Sequence, residues 1–182
     1  MLPLLRRLGV PLVAGALLAA CAAPGPAPLP PPTAHPTPTA RACADGVALT
    51  AGPVDSAAGL RAMGVTLYNC GDRPYQLAGF PVVRALDDAH AALAITVGNG
   101  SEPVSAPDAW DTPAHRLVVP PGGSAQARVL WRNTVTDGEP LVATYLAVRP
   151  VPGAPEQIVT PDGGVDLGTP ARIAVNAWRA AG

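Results

Sequence analysis

From residue 43 onward, apolar and polar positions alternate in short runs, and turn-forming residues separate the runs. MGVTLYN (63–69) sets Val65 and Leu67 against Thr66 and Tyr68, the period of a half-buried strand. AQARVLWRN (125–133) places Ala127, Val129 and Trp131 on one face, with Arg128 and Arg132 on the other. Trp131 is therefore expected in a core and both arginines in water. LVATYLAVRP (141–150) is long, apolar and β-branched, as a central strand would be. ARIAVNAW (171–178) opposes Ile173 and Val175 to Arg172 and Asn176. GVALT, FPVVRAL, ALAITV, RLVV and EQIVT are weaker strand candidates. NCGDRP, GNGSEP, PPGG, TDGEP and PDGG lie between them as turn signals. Asn99-Gly100, after ALAITV, has the composition of a type I′ hairpin turn. No segment sustains a helical period. The pattern predicts an all-β, immunoglobulin-like β-sandwich of about seven to nine short strands over residues 43–182.

The first 42 residues follow other patterns. Residues 1–20 carry Arg6 and Arg7 and then an apolar stretch from Leu8 to Ala20. That stretch is too short for a membrane span, which needs about 20 residues, and matches the apolar region of a secretory signal. Leu18-Ala19-Ala20-Cys21 closes it and resembles the lipobox of bacterial lipoproteins. The resemblance implies cleavage between Ala20 and Cys21 and a diacylglycerol on the Cys21 thiol. The expected location is the extracytoplasmic face of the cell membrane. One acyl chain holds a protein only marginally, and diacylglycerol supplies two. Residues 21–42 form a tether, with eight prolines between Ala22 and Ala42. Such a run favours polyproline II and at about 3.1 Å per residue reaches roughly 65 Å. It also contains P-x-x-P matches, the signature of a ligand for proline-recognition domains, but next to the anchor a spacer is the stronger reading. His35, alone in this run, is expected in water.

Composition adds three constraints. Twenty-four prolines and nineteen glycines oppose long helices. A formal net charge of −1 gives no electrostatic reason to expect nucleic acid, which asks for a basic face. All twelve basic residues are Arg, so no P-loop lysine exists. Cys43 and Cys70 are the two cysteines of the β region. After export, pairing is the expectation. Two free thiols or a metal pair are the alternatives, and without a C-x-x-C or a neighbouring His the metal reading is poor.

YNCGDRPYQLAGFPVV (68–83), followed by Asp87, and LVVPPGGSAQARVLW (117–131) resemble two signatures of one family. It comprises uncharacterised lipoproteins and secreted proteins, common in high-GC Gram-positive bacteria, and is known as DUF4232, a domain of unknown function. Asn69, Leu77, Gly79, Phe80 and Pro81 carry the first signature; Pro121, Gly122, Ala125 and Trp131 carry the second. Many members place a Cys where this chain has Tyr75, and a second cysteine pair of the family is missing here. The resemblance implies no activity and no site residues.

Chemistry-bearing residues are sparse. His115 with Asp108 or Asp111 could form a base and its orienter, but no G-x-S-x-G surrounds Ser56, Ser101, Ser105 or Ser124. Asp87 and Asp88 read as a solvated turn, and PDGGVDLG (161–168) as a turn without the spacing of a calcium loop. Asn99-Gly100-Ser101 matches a glycosylation sequon by chance. Trp178 is placed as a cap on the sandwich, and Trp110, in SAPDAWDTPAH, as the possible ligand contact. The expectation is a lipid-anchored, non-catalytic envelope module without a cofactor or metal, binding an envelope protein, cell-wall glycan or small ligand. The alternatives are a cell-wall hydrolase or transferase using His115, and an extracytoplasmic metal carrier using His90, His115 and Met63.

Overall fold

The structure, a computed structural model, describes residues 43–181, all of them strand, turn or loop. Thirteen strands follow in order: β1 (Val47–Ala57), β2 (Leu60–Asn69), β3 (Tyr75–Ala78), β4 (Val82–Leu86), β5 (Thr96–Asn99), β6 (Arg116–Val119) and β7 (Ser124–Arg132), then β8 (Leu141–Ala143), β9 (Tyr145–Arg149), β10 (Gln157–Val159), β11 (Val165–Gly168), β12 (Arg172–Val175) and β13 (Arg179–Ala180). One sheet runs β1-β2-β7-β12-β5, with β13 also on β7; the others are β10-β9-β4, β11-β8 and β3-β6. Their inward residues meet in one hydrophobic cluster that includes Val65, Leu67, Leu146, Val148, Leu167, Ile173 and both Trp131 and Trp178. This is an all-β sandwich. Its strand number exceeds expectation because strands cross between sheets and several are very short.

The alternation in the sequence works as read in β2 and β7. Val65, Leu67, Ala127, Val129 and Trp131 are fully buried, each large side chain contributing about 1.5–3 kcal/mol by leaving water. The buried Trp131 indole donates to Asp166 Oδ1 at 2.7 Å, so its N–H is satisfied. β1 and β2 form a hairpin closed by Ala58 (φ 46°) and Gly59 (φ 77°), both left-handed as a type I′ turn demands. Pro53 sits in β1, an edge strand, beside the register shift between Ala51 and Val54. Cys43 and Cys70 form a disulfide that brackets this hairpin, with Cα atoms 6.5 Å apart.

Several expectations are corrected. LVATYLAVRP is two strands: β8 pairs with β11, whereas β9 is the centre of β10-β9-β4. The chain leaves one sheet for the other at Thr144, whose N–H donates to Leu86 O. Asn99-Gly100 makes no hairpin. β5 instead runs parallel to β12, pairing Thr96 with Arg172 through Asn99 with Val175, and only Gly100 of the two residues is left-handed. PDGGVDLG is a turn only in its first half, because Val165–Gly168 is β11.

The free edge of the large sheet is covered by a side chain. Leu49 N donates to Gln157 Oε1 (3.0 Å), and Gln157 Nε2 donates to Val47 O (3.1 Å). The Gln157 amide thus pairs with β1 as a neighbouring strand would, tying β10 to it.

Candidate functional site

The site forms where the loop from Gly100 to His115 folds back over the outward face of β7 and the end of β12. Asp111 Oδ1 accepts from Ser101 N (2.6 Å) and Asn176 Nδ2 (3.0 Å), and Oδ2 accepts from Asp108 N (2.7 Å). Arg128 Nε donates to Asn176 Oδ1 (3.0 Å), and its Nη2 donates to Asp108 Oδ2 (2.6 Å) and Ser101 Oγ (3.3 Å). Burial pushes the Asp111 carboxyl up. The amides of Asp108 and Ser101, the Ser101 side chain and the Arg128 charge outweigh it and hold Asp111 below its ordinary value. This network corrects two expectations at once. Arg128 and Asn176 lie on the face predicted to meet water, yet the loop covers it: Asn176 is fully buried and the Arg128 side chain is only 13% exposed.

Trp110 belongs to the same loop. Its ring lies 3.0 Å from the Arg179 guanidinium carbon and 5.1 Å from that of Arg128, measured to the ring centroid, so two cations hold it by cation–π attraction. It is half-buried and forms one wall of a concavity of about 330 Å³. Phe80, Asn99, Thr112 and Pro113 line it as well, together with Asp111 and Asn176. Phe80 is placed there by the turn after β3. Gly79 O accepts from Trp178 N (3.1 Å), Pro81 is buried, and the Trp178 indole donates to Pro150 O (2.7 Å). Trp178 is thus a core residue beneath the concavity.

The remaining predicted residues fall elsewhere. His115 is exposed, with Nδ1 3.3 Å from Pro113 O, and among the described residues no hydrogen bond joins it to Asp108 or Asp111. Those carboxylates are committed to the network above. His90 stacks on Tyr145 (4.4 Å between centroids), and Met63 is buried in β2, so the three residues of the metal-carrier alternative sit in three different settings. Among the described residues no three His, Cys, Asp or Glu side chains are placed to hold a metal ion. Asp87 Oδ1 accepts from Ala89 N and Ala91 N and shapes a turn. Ala20 and Cys21, the expected cleavage and lipidation positions, lie outside the described residues, as do the signal and tether.

The two quoted signatures meet in space. Asn69 N donates to Gly123 O (2.9 Å) and Gly122 N donates to Asn69 O (2.8 Å). The buried Asn69 Nδ2 donates to Arg73 O (2.8 Å) and Val119 O (2.9 Å). The first signature thus closes the turn that opens β7, and its Phe80 supplies one wall of the concavity. The family model described as "Domain of unknown function (DUF4232)" matches residues 43–179, and the chain belongs to that family. Neither the curated proteins nor the solved structures contain a match.

Proposed function

We propose that this chain is a lipid-anchored, extracytoplasmic module whose sandwich binds a ligand at the Phe80–Trp110 concavity without transforming it. One observation carries this reading. The carboxylates beside the concavity, Asp108 and Asp111, are held by Arg128 and by loop amides, and Arg179 stacks on Trp110, while Phe80, Trp110, Asn99 and Thr112 line its surface. Catalysis needs a base or nucleophile within reach of a reacting atom; recognition needs aromatic faces with a few polar groups. Two aromatic rings beside an amide and a hydroxyl suit a sugar ring, so cell-wall glycan is the favoured ligand and an envelope protein the alternative. The anchor rests on Leu18-Ala19-Ala20-Cys21 and the apolar stretch before it.

Soluble peptidoglycan fragments titrated into the detergent-extracted mature protein test the reading. Trp131 and Trp178 are buried, so a change in tryptophan emission that Trp110→Phe removes reports Trp110. The expected result is a saturable change, weakened at least tenfold by Phe80→Ala, with fragment masses unchanged after prolonged incubation. No saturable binding would defeat the glycan assignment, and cleavage that His115→Ala abolishes would make the protein an enzyme. Intact mass tests the anchor: a chain beginning at Cys21 with added acyl mass is expected.

A further inference from the structure

The outward face of the large sheet holds a pair of cations with no counter-charge. Trp131 of β7 lies opposite Ile173 of β12, both buried in the core. Arg132 and Arg172 each stand one residue beyond this last registered pair, and both line the same cleft. Like charges at facing positions of neighbouring strands repel. Neither arginine makes an ion pair among the described residues, and Glu102, adjacent to Pro103, pairs with neither. The smaller β10-β9-β4 sheet shows the usual remedy. There Arg84 and Arg149 share Glu156, which Arg84 grips through Nε (3.1 Å) and Nη2 (2.7 Å) while Arg149 Nε lies 3.4 Å away.

Arg132 and Arg172 instead line a cleft of about 190 Å³ whose other walls are Pro103, Val104 and Pro170. Arg132 is held in position, with Nε donating to Val104 O (2.9 Å) and Nη1 to Ala58 O (3.4 Å); among the described residues its Nη2 has no partner, and the Arg172 guanidinium has none. The Pro103 wall packs tightly over Gly98, where a Cβ would collide with its ring. One guanidinium held in position, with a second exposed and unpartnered beside it, at the edge of apolar walls, fits a ligand with one charged end.

We propose that this cleft binds a small oxyanion carrying a short apolar substituent. The charge sits between Arg132 and Arg172, and the substituent lies against Pro103, Val104 and Pro170. Both the terminal carboxylate of a short peptide and a phosphate monoester have this chemistry. The cleft is separate from the Phe80–Trp110 concavity, and the assignment stands whether or not that concavity binds glycan.

The test uses the detergent-extracted protein with three probes: N-acetyl-alanylalanine, its C-terminal amide, and methyl phosphate. Calorimetry and thermal midpoints are recorded at low and high salt. At least one anion is expected to bind saturably and raise the midpoint, less so in high salt, while the amide does neither. A tighter carboxylate marks a peptide end as the source, and a tighter phosphate marks a monoester. Arg132→Gln and Arg172→Gln should each weaken binding at least tenfold. Arg172→Glu should raise the midpoint of the ligand-free protein, replacing repulsion by attraction, and abolish the response to anions. The assignment is overturned if the amide binds as well as the acid, or if neither anion exceeds its effect on the double Gln variant. A lower ligand-free midpoint in Arg172→Glu also overturns it.

Discussion

Asp111 is the residue on which the site loop turns, because one carboxylate satisfies two backbone amides and the buried Asn176. Asp111→Ala leaves those donors without their acceptor and should cost about 1–3 kcal/mol in chemical denaturation. Asp111→Asn keeps one acceptor oxygen, for Ser101 N and Asn176 Nδ2, but turns its NH2 toward the Asp108 N–H, and should cost less than the alanine. The carboxyl is held below its ordinary value, as is that of Glu156, where the hydrogen bonds from Arg84 outweigh burial. A carboxyl depressed in the folded state contributes stability that is present above its unfolded value, about 4, and lost as pH falls through the folded value. The thermal midpoint should therefore be level from pH 7 to about 5 and decline below about 4, and Asp111→Asn should flatten part of that decline. Little of this was legible in the sequence. Trp110 and Asp111 were visible as loop residues with chemistry, and Phe80 as the chain's one phenylalanine within a signature. Arg128 and Asn176 were not, because a period-two pattern marks a face as outward without showing that a loop will later cover it, and Ser101 carried no signal beyond that of one loop serine among several.

Among the elements, edges and crossings decide more than strand propensity. Gln157 supplies β1 with a donor and an acceptor, so Gln157→Ala should cost about 1–2 kcal/mol and leave an open edge that promotes self-association. Denaturation and light scattering would show both effects. Gly168 lies at the irregular end of the β8–β11 ladder with φ 59°, where a Cβ would strike Thr134 O and the Asn133 carbonyl carbon. Gly168→Ala should therefore cost about 2–3 kcal/mol, above the ordinary penalty of a left-handed alanine, by thermal denaturation. β2 and β7 could be read directly because each buries one alternating face against the core. The β8–β9 crossing was hidden because apolar residues flank Thr144 without a break in hydrophobicity. β5 was misjudged for a different reason: an Asn-Gly pair signals a tight turn locally, while the partner that claims this strand lies far along the chain.

For the molecule as a whole, the bracketing disulfide is the main covalent constraint on the described domain. It closes a loop with a sequence separation of 27 residues, worth about 3–4 kcal/mol in the chain-entropy view. Reductant, or Cys43→Ala with Cys70→Ala, should lower stability by that amount while leaving the far-ultraviolet spectrum strand-rich. The all-β class and the sandwich were legible from strand patterning and turn spacing. The parallel pairing was not, since no local pattern encodes it. That pairing has a consequence in time. β5 has no sheet neighbour except β12, and β12 also flanks β7. A chain made from its N-terminus therefore holds β5 unpaired and β7 short of its second flank until Arg172–Val175 is available. Long-range pairings of this kind are slow to close, so the large sheet is finished only after β12 is made, and a chain ending before Ala171 lacks the strand that joins β5 to β7.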